Sequence, residues 1–130
     1  MLERAEKQVN PVVKRLLKDN SSRIRFMLHL CVRCGMCAES CFLYRTHEHD
    51  PVYMPSHKML NSVGFLFRKR GRVSRPELET VREIVFHRCV LCMRCYCPLG
   101  VDIPQIIALG RSICRTQGLY RRYDGTDFKA

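Results

Sequence analysis

The stretch "CVLCMRCYCP", Cys89 to Pro98, sets three cysteines at CxxCxxC spacing and a fourth only two positions later. It answers an earlier run, "CVRCGMCAESC", in which Cys31, Cys34 and Cys37 are followed by Cys41 in a CxxCxxCxxxC pattern. Three thiolates so spaced let a tight loop wrap three corners of a cubane metal core, with Gly35 inside the first loop. A fourth cysteine three residues further on is carried away by an incipient helix, and it typically ligates the other core of a pair. Pro98 directly after Cys97 fits the CP ending of such runs and blocks a return to helix.

Two simpler readings of the cysteines compete with this one. Structural zinc wants four ligands, usually as two CxxC pairs or pairs with histidine, whereas each run here offers a third cysteine and eight thiols exceed one tetrahedral ion. Disulfides explain nine cysteines poorly, because "MLERAEKQVN" at the start has no signal-peptide core and reduced compartments keep thiols free. The expected location is therefore cytoplasmic, and no apolar run is long enough to cross a bilayer. The formal charge is +11. Two oxidised four-iron cubes, each with its thiolates near −2, bring it to about +7.

The 130 residues suit one modest domain. Asn10 and Pro11 read as the cap and first position of a helix carrying Val12, Val13, Leu16 and Leu17, ending near Asp19 or Asn20. In "RIRFMLHL" Ile24, Phe26, Leu28 and Leu30 alternate with polar neighbours and Met27, which predicts a short strand or extended arm. "FLYRTHEHDPVYMP" reads as an irregular loop. Ser56 is the expected cap of a helix through "HKMLNSVGFLFRKR", with Met59, Leu60, Val63 and Leu66 or Phe67 inward and Gly71 as its stop. Ser74 and Glu77 form a capping box ahead of Leu78, Val81, Ile84 and Val85. Asp102 caps a last helix with Pro104 in its first turn, the stripe Ile103, Ile106, Ile107 and Ile113, and Gly118 at its end.

The two runs and the helical connector between them resemble the alpha-helical ferredoxin module of the C-type subunit of heterodisulfide reductase, including its relatives in sulfur-oxidising heterodisulfide reductase-like complexes. "CVRCGMCAESC" and "CVLCMRCYCPLGVDI" carry the resemblance, which covers roughly Leu28 to Gly118. It implies an all-α fold built around two [4Fe-4S] clusters, in one domain: residues 1–27 an N-terminal helix or arm, 28–118 the core, 119–130 a basic, flexible tail. It further implies that Cys31, Cys34 and Cys37 hold one cube with Cys97, while Cys89, Cys92 and Cys95 hold the other with Cys41. Related modules occur in succinate dehydrogenase, fumarate reductase and anaerobic glycerol-3-phosphate dehydrogenase. The absence of an added cysteine-rich or plant-type ferredoxin domain favours a separate small subunit.

This chain departs from the family in two places. Phe42 stands where the family has proline after the first run, which removes no ligand. Tyr96 alone separates Cys95 from Cys97, where the family has three residues. Either the loop is tighter and the cube complete, or the corner is filled otherwise, with Cys114 on the following helix as the spare thiol. Cys114 also reads as a small buried hydrophobe. A three-iron cluster is the remaining alternative.

His47, His49 and His57 read as solvated, and His87 as packing near Cys89. Arg68, Lys69, Arg70, Arg72 and Arg75 form a basic ridge that either complements helix dipoles or docks an acidic partner, with no groove-reading motif for nucleic acid. No activated nucleophile, carboxylate pair or phosphate loop is evident, so the chain reads as a non-catalytic electron-transfer subunit. The resemblance implies two partners from heterodisulfide reductase: a B-type catalytic protein, which carries out disulfide or sulfur chemistry, and an A-type flavoprotein. Any membrane association would come through such partners. The rivals are an iron–sulfur subunit of a quinone-linked dehydrogenase and a zinc-stabilised basic binding module.

Overall fold

A computed structural model describes residues 11–119. Among these every regular element is helical: α1 (Pro11–Asp19), α2 (Ser21–Leu30), α3 (Met36–Glu39), α4 (Phe42–Thr46), a 3₁₀ turn (Pro51–Tyr53), α5 (Pro55–Asn61), α6 (Val63–Arg68), α7 (Arg75–Arg82) continued by a π turn (Glu83–His87), and α8 (Ile103–Thr116). The expected all-α fold is the one observed. None of these helices is long and apolar enough to cross a membrane. The expected cap Asn10 and the tail from residue 120 lie outside the described residues.

The longest helix, α8, organises the rest. It packs against α1, α5, α6, α7 and the π turn. Its stripe of Ile103, Ile106, Ile107 and Ile113 is buried as expected, together with Leu78, Val81, Ile84 and Val85 from α7 and its continuation and Met59, Val63 and Leu66 from α5 and α6. Asp102 caps α8 by accepting from the Gln105 N–H, and Ser74 and Glu77 close the capping box of α7. Gly110 marks the tightest crossing, where a Cβ would stand 2.9 Å from Val85 Cγ1 and 3.2 Å from Val63 Cγ2.

Three local expectations need correction. "RIRFMLHL" is not a strand or arm but most of α2, because Ile24, Met27 and Leu28 lie on one helical face that packs on α6, while Phe26 turns outward. The helix also runs through the expected boundary at residues 27 and 28. "FLYRTHEHDPVYMP" contains α4 and a 3₁₀ turn capped by the Asp50 side chain, with only Glu48 and His49 in left-handed conformations between them. The single helix expected from Ser56 is two, starting at Pro55 and broken at Ser62. There the serine hydroxyl donates to the Lys58 carbonyl at 2.6 Å and competes for the backbone acceptor.

Candidate metal centre

The two cysteine loops share a backbone pattern that their sequences conceal. Counting from the first cysteine, the third and fifth residues of each loop have positive φ: Arg33 (59°) and Gly35 (77°) in one, Leu91 (53°) and Met93 (63°) in the other. Glycine enters the left-handed region freely, but Arg33, Leu91 and Met93 do so at a cost of about 1–2 kcal/mol each. Turns that alternate in this way form concavities of backbone N–H groups, which suit anions and iron–sulfur sites. The positive φ of Met93 had no signal in the sequence, since only its glycine counterpart advertises the turn.

The loops and the helices behind them enclose two recesses. One is lined by Cys31, Cys34, Cys37 and Cys97, with Ser56, Val101 and Ile103. The other is lined by Cys41, Cys89, Cys92 and Cys95, with Pro55, Lys58 and Ile107. Each recess thus receives three thiols from one loop and a fourth from the other. Among the described residues no three His, Cys, Asp or Glu side chains are close enough to hold one ion, so the sulfurs do not converge to a single-ion shell. That donor set fits a polynuclear core with one thiolate per corner better than a zinc ion about 2.3 Å from each sulfur.

The crossing at Tyr96 is fixed by a short hydrogen-bonded bridge. The Tyr96 N–H donates to Ser40 Oγ at 3.1 Å, and the Ser40 hydroxyl donates to the Cys37 carbonyl at 3.1 Å. Cys95 and Cys97 consequently face different recesses although one residue separates them. Cys114 lines neither recess; it is fully buried in the core of α8.

Burial sets the chemistry of the thiols. It raises Cys37, against which Ser56 works by hydrogen-bonding through its backbone N–H and its hydroxyl. Burial also pushes Cys95 up to about 12, reinforced by Cys89, Cys41 and Cys92 and opposed by Lys58. Thiols held so resist ionisation until a metal core supplies the compensating charge, so metal uptake here releases protons.

Several residues at the site had no sequence reading. Lys58, on α5, is only 2% exposed, and its Nζ donates to Cys41 Sγ at 3.6 Å. Its burial was detectable in principle, because Pro55, Lys58, Met59 and Ser62 fall on one helical stripe. Arg111 on α8 donates to the carbonyls of Val85 at 2.7 Å and Cys89 at 2.6 Å, and so clamps the start of the second loop. Two histidines did have a reading: His57, expected to be solvated, is instead half-buried, and it and His87, expected to pack, each keep one buried ring nitrogen without a hydrogen-bond partner; neither lines a cysteine recess.

Residues 27–101 match the 4Fe-4S dicluster domain family. The chain is also similar to two curated archaeal proteins. The Hdr-like menaquinol oxidoreductase iron-sulfur subunit 2 of Archaeoglobus fulgidus is 29% identical over 125 residues, which cover 85% of this chain and 22% of that protein. The Hdr-like menaquinol oxidoreductase iron-sulfur subunit of Archaeoglobus profundus is 29% identical over 124 residues, with 85% and 22% covered. The chain thus spans about a fifth of the length of these relatives. No solved structure matches it. With more than half of its length in the matched region, the chain belongs to the 4Fe-4S dicluster domain family, as an iron–sulfur protein like the C-type component of heterodisulfide reductase.

Proposed function

We propose that this chain is the electron-transfer subunit of a heterodisulfide reductase-like complex, holding one [4Fe-4S] cluster with Cys31, Cys34, Cys37 and Cys97 and a second with Cys89, Cys92, Cys95 and Cys41. The observation that carries this reading is the exchange of the fourth thiol between the two recesses. The clusters would supply one-electron redox chemistry. The chain's own part is to hold the thiolates, exclude water with Val101, Ile103 and Ile107, and aim backbone N–H groups at the sulfurs through the left-handed turns. The whole chain then works as one unit, with residues 28–118 as the two-cluster core.

Catalysis belongs, in this reading, to other proteins of the complex: a B-type catalytic protein acting on disulfide or sulfur compounds and an A-type flavoprotein. A second reading is favoured by the names of the relatives, which are menaquinol oxidoreductase subunits. Under it the same relay takes electrons from a quinol-oxidising partner, and membrane association comes through that partner. Both readings need the same two clusters, and the proteins that co-purify with the chain distinguish them.

Oxygen-free purification followed by iron and sulfide counting and EPR tests the proposal. The expected result is brown protein with about eight irons per chain and two interacting paramagnets on reduction. About seven irons would place a three-iron cluster at one recess, and colourless protein carrying one zinc would overturn the reading.

A further inference from the structure

The two recesses differ in the charge that α5 presents to them. One turn of this helix lies between both sites: Ser56 bonds Cys37 of the first recess, and Lys58 bonds Cys41 of the second. Ser56 is neutral. Lys58 brings a full positive charge to a place that is 2% exposed, and among the described residues no carboxylate pairs with it. Burying an ammonium without a counter-charge is costly by several kcal/mol. The negative charge at hand is that of the cysteine sulfurs and of the cluster they would hold.

The other cations strengthen the contrast. Arg111 is half-buried and donates to the carbonyl of Cys89, again on the second recess. Arg33, beside the first recess, is exposed, so solvent and salt screen its field. A buried cation hydrogen-bonded to a cluster ligand attracts the reduced cluster more strongly than the oxidised one, because reduction adds one negative charge. The contribution therefore falls on one cluster and not on both.

Building on the two-cluster reading above, we infer that Lys58 is a tuning residue, which raises the reduction potential of the cluster held by Cys41, Cys89, Cys92 and Cys95 above that of its neighbour. An electron shared between the two clusters then rests mainly at the Lys58 side, and the first recess is the low-potential end of the relay.

Anaerobic redox titration followed by EPR tests this on the intact chain. Wild-type protein must first show its two clusters; if it does not, the functional reading fails and the Lys58 question falls with it. Lys58→Met keeps the volume and removes the charge, and a buried methionine is well tolerated. At a fixed solution potential the reduced-to-oxidised ratio of one cluster should fall at least tenfold, about 59 mV for one electron, while the other stays put. Lys58→Arg should restore most of the difference. Ser56→Ala, which removes one neutral donor from Cys37, should move the other signal, and this assigns the two. Lys58→Met protein with both potentials unchanged, or with both shifted equally, overturns the inference. If the methionine variant loses iron, Lys58→Gln replaces it: a lowered potential on one cluster supports the inference, and an unchanged one overturns it.

Discussion

Between Cys95 and Cys97 stands Tyr96 alone, and the bond from its N–H to Ser40 is what lets two nearly adjacent thiols serve different recesses. Two substitutions separate the possible fourth ligands. Cys97→Ala should leave about seven irons per chain and a three-iron EPR signal in the oxidised protein, whereas Cys114→Ala should keep about eight. The alanine at 114 should cost about 1 kcal/mol, the transfer and cavity terms of one small buried side chain. Cys114 also carries a pH signature: burial pushes it up to about 12 from an ordinary 9.0, so the native state keeps its proton while the unfolded chain loses it. Stability from this group is complete below pH 9 and is lost as pH rises towards 12, and the advantage of wild type over Cys114→Ala in thermal melts should vanish early in that window and then reverse, because the linked loss comes to exceed about 1 kcal/mol. At this scale the cysteines were legible, since only thiolates perform their chemistry and their spacing is written in the chain. Lys58 was passed over, because a lysine in an amphipathic helix ordinarily faces solvent; its stripe with Pro55, Met59 and Ser62 allowed burial, and the tertiary placement of α5 between the recesses shows it.

The helices show where periodicity suffices and where it does not. The capping box at Ser74 and the stripe of α8 combine local chemistry with long repeats, and both appear as read. The strand expected at "RIRFMLHL" failed because eight residues fit period two and period 3.6 nearly equally when Met27 is counted as polar. The break at Ser62 depends on one hydroxyl taking the Lys58 carbonyl, which no propensity scale contains. The π turn after α7 is likewise invisible to pattern, and it brings Val85 and Phe86 into the core just before Cys89. Gly110 tests how closely α8 must approach this turn. Alanine gains about 1 kcal/mol of helix propensity there, but its Cβ meets Val85 and Val63, both fully buried and unable to move aside. Gly110→Ala should therefore destabilise the loaded protein by about 1–2 kcal/mol net, read as a lower Tm. Adding Val85→Ala should cost less in this background than it does alone, since it removes the nearer clashing methyl.

As a whole molecule the chain divides its surface between two kinds of contact. Many of the exposed large apolar side chains, Val32, Met36, Phe42, Val90, Met93 (73% exposed) and Leu99, border the cysteine loops, so the faces around those loops are also the least water-loving. Away from them the five cations of the basic ridge are all exposed; Arg68 and Arg75 also donate to the backbone carbonyls of Leu60, Gly64 and Gln117, whereas Lys69, Arg70 and Arg72 show no such carbonyl bond. The helices α3, α4 and α6 have four to six residues, too short to persist alone, and the cysteine loops contribute little to the buried core. Iron chelation without oxygen should thus abolish the cooperative thermal transition and reduce helical ellipticity, with unchanged circular dichroism as the contrary result. The ridge should act earlier, in the approach of a partner. If an acidic face is steered by Lys69, Arg70 and Arg72, the association rate with the co-purified catalytic protein should fall several-fold between low and physiological salt. Replacing the three by serine should flatten that dependence and leave the dissociation rate nearly unchanged, because rim charges steer and apolar centres hold. Replacing Met93 by serine should do the reverse, speeding dissociation while the salt slope stays. An assembly indifferent both to salt and to loss of the three charges would remove the ridge from docking and leave it as an ordinary solvated face.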